Sequence, residues 1–283
     1  MRFPAGFNIA LSIELAELIH HAYQQFESFQ NERPWKLPAK YSLLTEFSYL
    51  WTPGRRIEKG IRNFDVTLRR LSRSTSEKNT KIPIGFVARR KDRVFLVLRG
   101  TQTVKEWIRN FSIGLSAFRI PNFGKVHDGF LQTYSAIRGE ILESLARADS
   151  KAGIYITGHS LGAALTTFAL PDIEVSLKRK VSALYTYGSP RVGDNEFVQA
   201  FNGAFGRISF RVANTSDIIT SIPLPAPIAG IVGGYFSHVD TPVDLTVQKN
   251  DLEENHDIRT YISALRDIET QKGFFEKLLR KSI

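Results

Sequence analysis

The 283-residue chain contains no cysteine. That excludes disulfides, thiolate metal sites and a cysteine nucleophile, and it fits a reducing compartment. No stretch approaches the ~20 apolar residues of a membrane-spanning helix. Arg2 precedes a fairly apolar run from Phe3 to Ile13, but Glu14 and Glu17 interrupt it and no small-x-small cleavage site follows. A signal peptide is therefore not expected. Internal repeats, low-complexity tracts and long linkers are also lacking, so one domain spanning 1–283 is the expected organisation. Acid is in short supply: 28 Asp and Glu face 38 Lys and Arg, a net charge of +10. Such a surplus attracts polyanions, either an anionic membrane surface or nucleic acid. Residues 55–81 hold nine basic side chains against three acidic ones. They lack the repeated aromatic interleaving of single-strand nucleic-acid binders. A solvated face is the plain reading and a membrane- or phosphate-facing patch the functional one.

What is present is organised around Tyr155-Ile156-Thr157-Gly158-His159-Ser160-Leu161-Gly162-Ala163-Ala164. An apolar run from Ala152 to Thr157 stops at Gly158, and an Ala- and Leu-rich stretch follows Ser160 to Leu170. This predicts a strand, a tight turn and a helix with a serine at the apex. G-x-S-x-G in that setting is a nucleophile elbow, in which a strained turn lifts the hydroxyl out of the sheet. The helix N-terminus beside it favours a developing anion. A glycine-flanked serine that merely caps its helix is the bland alternative.

Along the chain, Leu11, Leu15, Leu18, Ile19, Ala22 and Phe26 recur at helical spacing and predict an amphipathic helix over about 8–29. Tyr41 to Trp51 is apolar and aromatic, of undetermined type. Ile84 to Arg90 and Arg93 to Leu98 flank Lys91-Asp92 and predict a hairpin, its second strand apolar enough for the centre of a sheet. Val104, Trp107, Ile108 and Phe111, spaced i, i+3, i+4, i+7, predict a short helix with one apolar face. Pro121 to Gly129 reads as a connector and Phe130 to Ala148 as a helix. After the elbow come strands at Val181–Tyr187 and Ile208–Ala213, helices at Glu196–Phe205 and Asp257–Ile268, and a candidate strand pair within Tyr235–Val247. An amphipathic tail over about 270–283 closes the chain. This order predicts an α/β fold, a mostly parallel central sheet with helices on both faces.

A serine nucleophile needs a base, an acid that orients it, and oxyanion donors. In α/β hydrolases the chain order is Ser, then Asp or Glu, then His. Outside the elbow, only His238 and His256 follow Ser160. His256, on Glu254-Asn255-His256-Asp257 before a late helix, is favoured over His238, which lies in an extended stretch. For the acid, Asp217 is best placed, just past the strand Ile208–Ala213 at the sheet edge where such folds build their sites. Asp194 reads as a helix cap, Asp172 and Asp257 as helix-end residues, and Asp240, Asp244 and Asp251 have no distinguishing context. The plain alternative for Asp217 is a turn aspartate bonding its own backbone. One oxyanion donor is expected from the N–H of Leu161 and a second from Gly100-Thr101, with the Thr101 hydroxyl as a candidate third.

These segments, in order, resemble the class 3 lipase family, the fungal-type triacylglycerol lipases and their bacterial and plant relatives. The matching pieces are Leu98-Arg99-Gly100-Thr101, Trp107-Ile108-Arg109-Asn110, Val126-His127-Asp128-Gly129-Phe130, Gly158 to Leu165, Tyr187-Gly188-Ser189-Pro190-Arg191-Val192-Gly193, Asp217 followed by Ile222-Pro223, and His256-Asp257-Ile258-Arg259-Thr260-Tyr261. The resemblance implies an α/β hydrolase with Ser160 as nucleophile, Asp217 as acid, His256 as base, Thr101 and Leu161 as oxyanion donors, and residues 102–112 as a lid. His127 would be structural, and no metal or organic cofactor would be needed. The expected activity is hydrolysis of carboxylic esters of lipids through an acyl-enzyme. Its expected partners are a lipid substrate and a membrane or lipid-droplet surface, not nucleic acid; oligomeric state stays open. Val104, Trp107, Ile108 and Phe111 would close over an acyl groove in water and turn outward at a lipid surface. A cytoplasmic or peripheral-membrane location is expected, with secretion still open. The alternatives are a carboxylesterase or thioesterase acting on small soluble esters, and a non-catalytic lipase-like regulator.

Overall fold

A computed structural model describes residues 3–51, 80–100, 114–223 and 236–281. The basic residues 55–79, together with Thr101, Val104, Trp107, Ile108 and Phe111, lie outside the described residues.

The chain begins with helix α1 (Ile9–Gln30), which Asn8 caps by accepting a hydrogen bond from the Leu11 N–H at 2.9 Å. Of the spaced apolar residues, Leu15, Leu18, Ile19, Ala22 and Phe26 are buried and Leu11 is partly buried. Strands β1 (Ser42–Trp51), β2 (Thr80–Arg90) and β3 (Arg93–Leu98) follow. β2 and β3 form the expected hairpin, turning at Lys91 with φ 54°. A small ribbon of β4 (Leu115–Ala117) and β5 (Lys125–His127) leads into helix α2 (Asp128–Arg147). The chain then alternates β6 (Gly153–His159), α3 (Leu161–Leu177), β7 (Val181–Tyr187), α4 (Asn195–Phe205) and β8 (Ser209–Asn214). A 3₁₀ turn (Ile218–Ser221), strand β9 (Thr241–Leu245) and helices α5 (Leu252–His256) and α6 (Ile258–Lys281) complete it.

Among the described residues, seven strands make the main sheet, in the order β1-β2-β3-β6-β7-β8-β9. The β1–β2 and β2–β3 pairs are antiparallel, and every pair from β3 to β9 is parallel. Alternation along β3 builds two cores at once. Val94, Leu96 and Leu98 join the layer of α2, α3 and α4, while Phe95 and Val97 join that of α1 and α6. A strand buried on both faces must be apolar throughout, which is why this run carries no polar residue between Val94 and Leu98. The parallel strands β3, β6, β7 and β8 end at Leu98, His159, Tyr187 and Asn214. Gly100, Ser160, Gly188 and Asp217 follow them, so one edge of the sheet gathers the residues of interest.

Several sequence expectations change. Tyr41 to Trp51 is an edge strand. The segment read as a connector, Pro121 to Gly129, contains β5, and α2 starts two residues earlier than expected, with His127 as its cap. Within Tyr235–Val247, among the described residues, only Thr241–Leu245 is a strand; Ser237 makes a lone bridge to Gly193. The closing tail is not a separate element, because α6 runs unbroken from Ile258 through Gly273 to Lys281. Good helix formers dominate 264–281 and outweigh the ~1 kcal/mol cost of one glycine.

Candidate active site

Ser160 sits between β6 and α3 at φ 56°, ψ −124°. This backbone region is sparsely populated for any residue with a Cβ and costs of order 1–3 kcal/mol, so packing on both sides must hold it. On the strand side, the Ser160 N–H donates to the Tyr187 carbonyl at 2.9 Å; on the helix side, its carbonyl accepts from Ala163 N–H at 3.0 Å. The two flanking glycines are required by close approach. A Cβ on Gly158 would stand 2.2 Å from the Gly162 carbonyl oxygen, and one on Gly162 would stand 2.3 Å from that of Leu98. The side chain of Ser160 makes no capping hydrogen bond to α3, which argues against the bland capping role. Leu161 and the first turn of α3 present N–H groups that have no carbonyl one turn earlier in the helix.

Asp217 and His256 come together although 39 residues separate them. Asp217 Oδ2 lies 2.6 Å from His256 Nδ1, and both side chains are buried. The carboxylate is held from three directions: Oδ2 also accepts from the Tyr261 hydroxyl at 2.5 Å, and Oδ1 accepts from Ile219 N–H at 2.9 Å. With Nδ1 carrying the proton toward Asp217, Nε2 of His256 is left with its lone pair. That atom is buried and has no hydrogen-bond partner among the described residues. His159, next to the serine, packs against His256 with ring centroids 4.4 Å apart and planes tilted by 37°, which places the imidazole beside the elbow. Gly188, at φ 53°, lies against this pair: a Cβ there would be 2.9 Å from both Asp217 Oδ2 and His256 Cε1.

The competing residues are accounted for elsewhere. His238 Nε2 donates to the Thr220 carbonyl at 2.7 Å, and burial with nearby Arg211 pushes its pKa down to about 3, so it is neutral and engaged. Asp194 caps α4 through the Phe197 N–H, as its sequence context predicts. Asp251 and Asp257 accept from Glu253 N–H and Arg259 N–H at helix starts. Asp172 is not at a helix end. It lies inside α3, buried, where it binds the Tyr134 hydroxyl, Arg138 and Ser176 and ties α2 to α3. The reason is that α3 continues through Pro171 to Leu177. Among the described residues, no group of three or more His, Asp or Glu side chains is placed to hold a metal ion.

Asp240 is the unexpected member of that set. It is buried at φ 73°, beside the hydroxyls of Thr186 and Ser209 but without a well-aligned hydrogen bond to either. Burial raises its pKa to about 7, against the opposing pull of Arg211. A raised carboxyl pKa contributes stability that is present below the unfolded value near 4 and is lost as pH climbs through 7. Asp240→Asn mimics the protonated form and tolerates a positive φ. It is expected to match the parent in thermal unfolding near pH 4 and to be more stable by roughly 2–4 kcal/mol at pH 8–9. Parallel Tm-versus-pH curves for the two proteins would refute it.

Tyr261, the last residue of the motif that begins at His256, holds the carboxylate that orients the imidazole. Burial, then Asp217, keeps its hydroxyl pKa well above the ordinary range, so it donates at neutral pH. Tyr261→Phe removes one bond to a charged acceptor, worth ~1.5–3 kcal/mol. For an ester hydrolase built on this pair, kcat on a soluble ester is expected to fall about tenfold, since two other donors remain; an unchanged kcat would show that this bond does not steer the pair.

The fold has counterparts of known structure. A deletion mutant of the Rhizomucor miehei lipase propeptide complex superposes with TM-score 0.63 at 20% identity, over 87% of this chain and 69% of that one. Lipase II from Rhizopus niveus gives 0.59 at 22%, over 76% and 75%. These likenesses show the fold to be that of the α/β-hydrolase lipases. Residues 95–226 match the family model for Lipase (class 3), the family that the sequence motifs resemble. In sequence it is 29% identical over 248 residues to the chloroplastic phospholipase A(1) DAD1 of Arabidopsis thaliana, covering 75% of this chain and 55% of that protein. To phospholipase A1 EG1 of Oryza sativa subsp. indica it is 31% identical over 246 residues, 71% and 56% covered. To the lipase of Rhizomucor miehei it is 29% identical over 168 residues, 56% and 46% covered. The chain thus spans about half the length of these relatives.

Proposed function

We propose that the protein is a carboxylic ester hydrolase acting on lipids through a Ser160–His256–Asp217 triad. The observation that carries this is the buried 2.6 Å Asp217–His256 pair, whose imidazole packs against His159, the neighbour of a strained serine at a helix N-terminus. His256 Nε2 takes the Ser160 proton as the hydroxyl oxygen attacks the ester carbonyl. The collapsing tetrahedral intermediate expels the alcohol, which receives that proton. Water, deprotonated by the same nitrogen, then hydrolyses the acyl-enzyme and releases the fatty acid. The N–H groups of Leu161 and Thr101 serve the oxyanion, each worth ~10²–10³ in rate. The missing Ser160–His256 hydrogen bond is compatible with this, because such contacts often tighten only with substrate bound.

The lipid reading draws on the relatives, which are named as phospholipases A1 and lipases. The surplus of ten positive charges favours an anionic interface, at ~1 kcal/mol per nearby Lys or Arg. Val104, Trp107, Ile108 and Phe111 would form the apolar face of a lid, and a peripheral-membrane or cytoplasmic location goes with this reading. The test is fatty-acid release by the purified protein from anionic phospholipid vesicles, triacylglycerol emulsion and monomeric short-chain esters. Turnover of the lipid aggregates well above that of the monomeric esters is expected. Hydrolysis confined to soluble esters would favour the small-ester alternative, and no hydrolysis with no reaction toward a fluorophosphonate would leave only a non-catalytic role.

A further inference from the structure

A second set of hydrogen bonds, partly to fully buried, runs beside the triad. The Gly100 N–H donates to the Tyr23 hydroxyl oxygen at 3.0 Å; that hydroxyl lies 2.7 Å from His159 Nδ1; and His159 Nε2 lies 2.7 Å from the main-chain carbonyl of His256. These four groups come from α1, the end of β3, β6 and α5, with 77, 136 and 97 residues between successive partners.

The proton positions follow from the chemistry. A carbonyl oxygen can only accept, so His159 Nε2 carries a hydrogen. In the neutral ring Nδ1 is then an acceptor, so the Tyr23 O–H donates to it. The Tyr23 oxygen is left free to accept the Gly100 N–H. All donors therefore point the same way, from Gly100 to His256. A cationic His159 would break this order, because its Nδ1–H would meet a hydroxyl already receiving the Gly100 N–H. The tyrosine proton would then have no acceptor. Burial, reinforced by His256, holds the His159 pKa well below its usual value, so the ring is neutral. Burial likewise keeps the Tyr23 hydroxyl protonated by raising its pKa.

The two ends of this chain touch the two halves of the chemistry. Gly100 precedes Thr101, the expected second oxyanion donor, and a Cβ on Gly100 would stand 2.6 Å from that of Ser160. At the other end, His256 is gripped twice: its ring by Asp217 at Nδ1 and its main chain by His159. The same helix steadies the strand end a second way, for the Arg99 guanidinium lies 3.9 Å over the Phe26 ring and donates to the Gly100 carbonyl at 2.6 Å. We propose that Tyr23 and His159 are positioning residues that lock the oxyanion strand end to the backbone of the base, making the N-terminal helix part of the catalytic apparatus. This rests on the serine-hydrolase reading above. Neither side chain hydrogen-bonds a reacting atom, although the His159 ring packs against that of His256; they act by fixing the separation of Gly100 and His256, and small misplacements of reacting groups are costly.

Tyr23→Phe removes both bonds of the hydroxyl while preserving the ring. His159→Gln keeps an N–H for the His256 carbonyl and loses the acceptor for Tyr23. Each single variant and the double variant would be assayed with a soluble ester, with Tm measured in parallel. The expected result is a kcat about 10–30-fold below the parent for Tyr23→Phe, KM within about twofold, Tm within a few degrees, and a double variant no worse than the poorer single, the signature of one coupled unit. An unchanged kcat, a loss that follows the folded fraction, or losses that multiply in the double variant would overturn the proposal. Should one variant fail to fold, the kcat-against-KM split of the other decides. A parent protein that neither turns over ester nor reacts with fluorophosphonate overturns the hydrolase reading, and the positioning role with it; an active parent with indifferent variants overturns the positioning role alone.

Discussion

Ser160→Ala is expected to lower ester hydrolysis by about 10⁵–10⁶-fold, the scale seen when the nucleophile of a serine triad is deleted. The chain has no cysteine that could take over as nucleophile. The fold should survive, because Oγ makes no capping bond whose loss would loosen α3. Alanine keeps the Cβ and therefore the strain of φ 56°, so Tm should barely move. Ser160→Gly sharpens the test. Glycine tolerates that backbone, so part of the roughly 1–3 kcal/mol of strain should be recovered. An inactive glycine variant that melts higher than the parent would show that the turn stores strain for the sake of the hydroxyl. Residual activity above about one part in a thousand in the alanine variant would place the nucleophile elsewhere. Loss of fluorophosphonate labelling in both variants, read by intact-mass spectrometry, is the independent check.

Much of this site was legible in the residues because its chemistry follows chain order. Strand, Gly158, Ser160, Gly162 and a small-residue helix form one continuous stretch, and Asp217 directly follows a recognisable strand. His256 stood out by position among few histidines. What could not be read were partners distant in sequence and local conformations without a compositional mark. Tyr23 lies on a helix whose periodicity explains it as an ordinary partly buried residue, and nothing in the pattern points across 136 positions to His159. His159 occupies the variable position of the pentapeptide, so the motif is silent about it. Gly188 follows an apolar strand as many glycines do, and only the approach of Asp217 and His256 explains it. Asp240 adopts a left-handed backbone with no glycine or asparagine to signal it. In the fold, β1 was ambiguous because its Leu43 and Leu44 are exposed, so polar and apolar residues do not alternate cleanly at this sheet edge. The amphipathic residues of the C-terminal tail continue the helix that starts at Ile258, and no residue in the pattern marks where one element would hand over to the next.

Asp217→Asn is expected to cost about 10⁴ in kcat/KM, although it removes only a charge and changes almost no volume. The hydrogen bonds around the carboxylate explain why. Three donors converge on it: Ile219 N–H on Oδ1, and His256 Nδ1–H with the Tyr261 hydroxyl on Oδ2. An amide offers one acceptor and one donor group, so one of the two positions must become N–H. If the amide nitrogen replaces Oδ2, it meets His256 and Tyr261. The imidazole must then accept at Nδ1, which moves its proton to Nε2 and leaves no base facing Ser160. Tyr261 must also give up its acceptor while already receiving the Asn214 N–H at 3.2 Å. If the amide is flipped, its nitrogen faces the Ile219 N–H, donor against donor, at the start of the turn that carries residue 217. Both orientations fail, one chemically and one by breaking the turn, and in both the negative charge that would steady a transient imidazolium is gone. The first orientation keeps the backbone intact, so the variant should fold, lose turnover and retain substrate binding. A variant within about tenfold of the parent would mean that Asp217 is a turn residue after all and that another group orients His256.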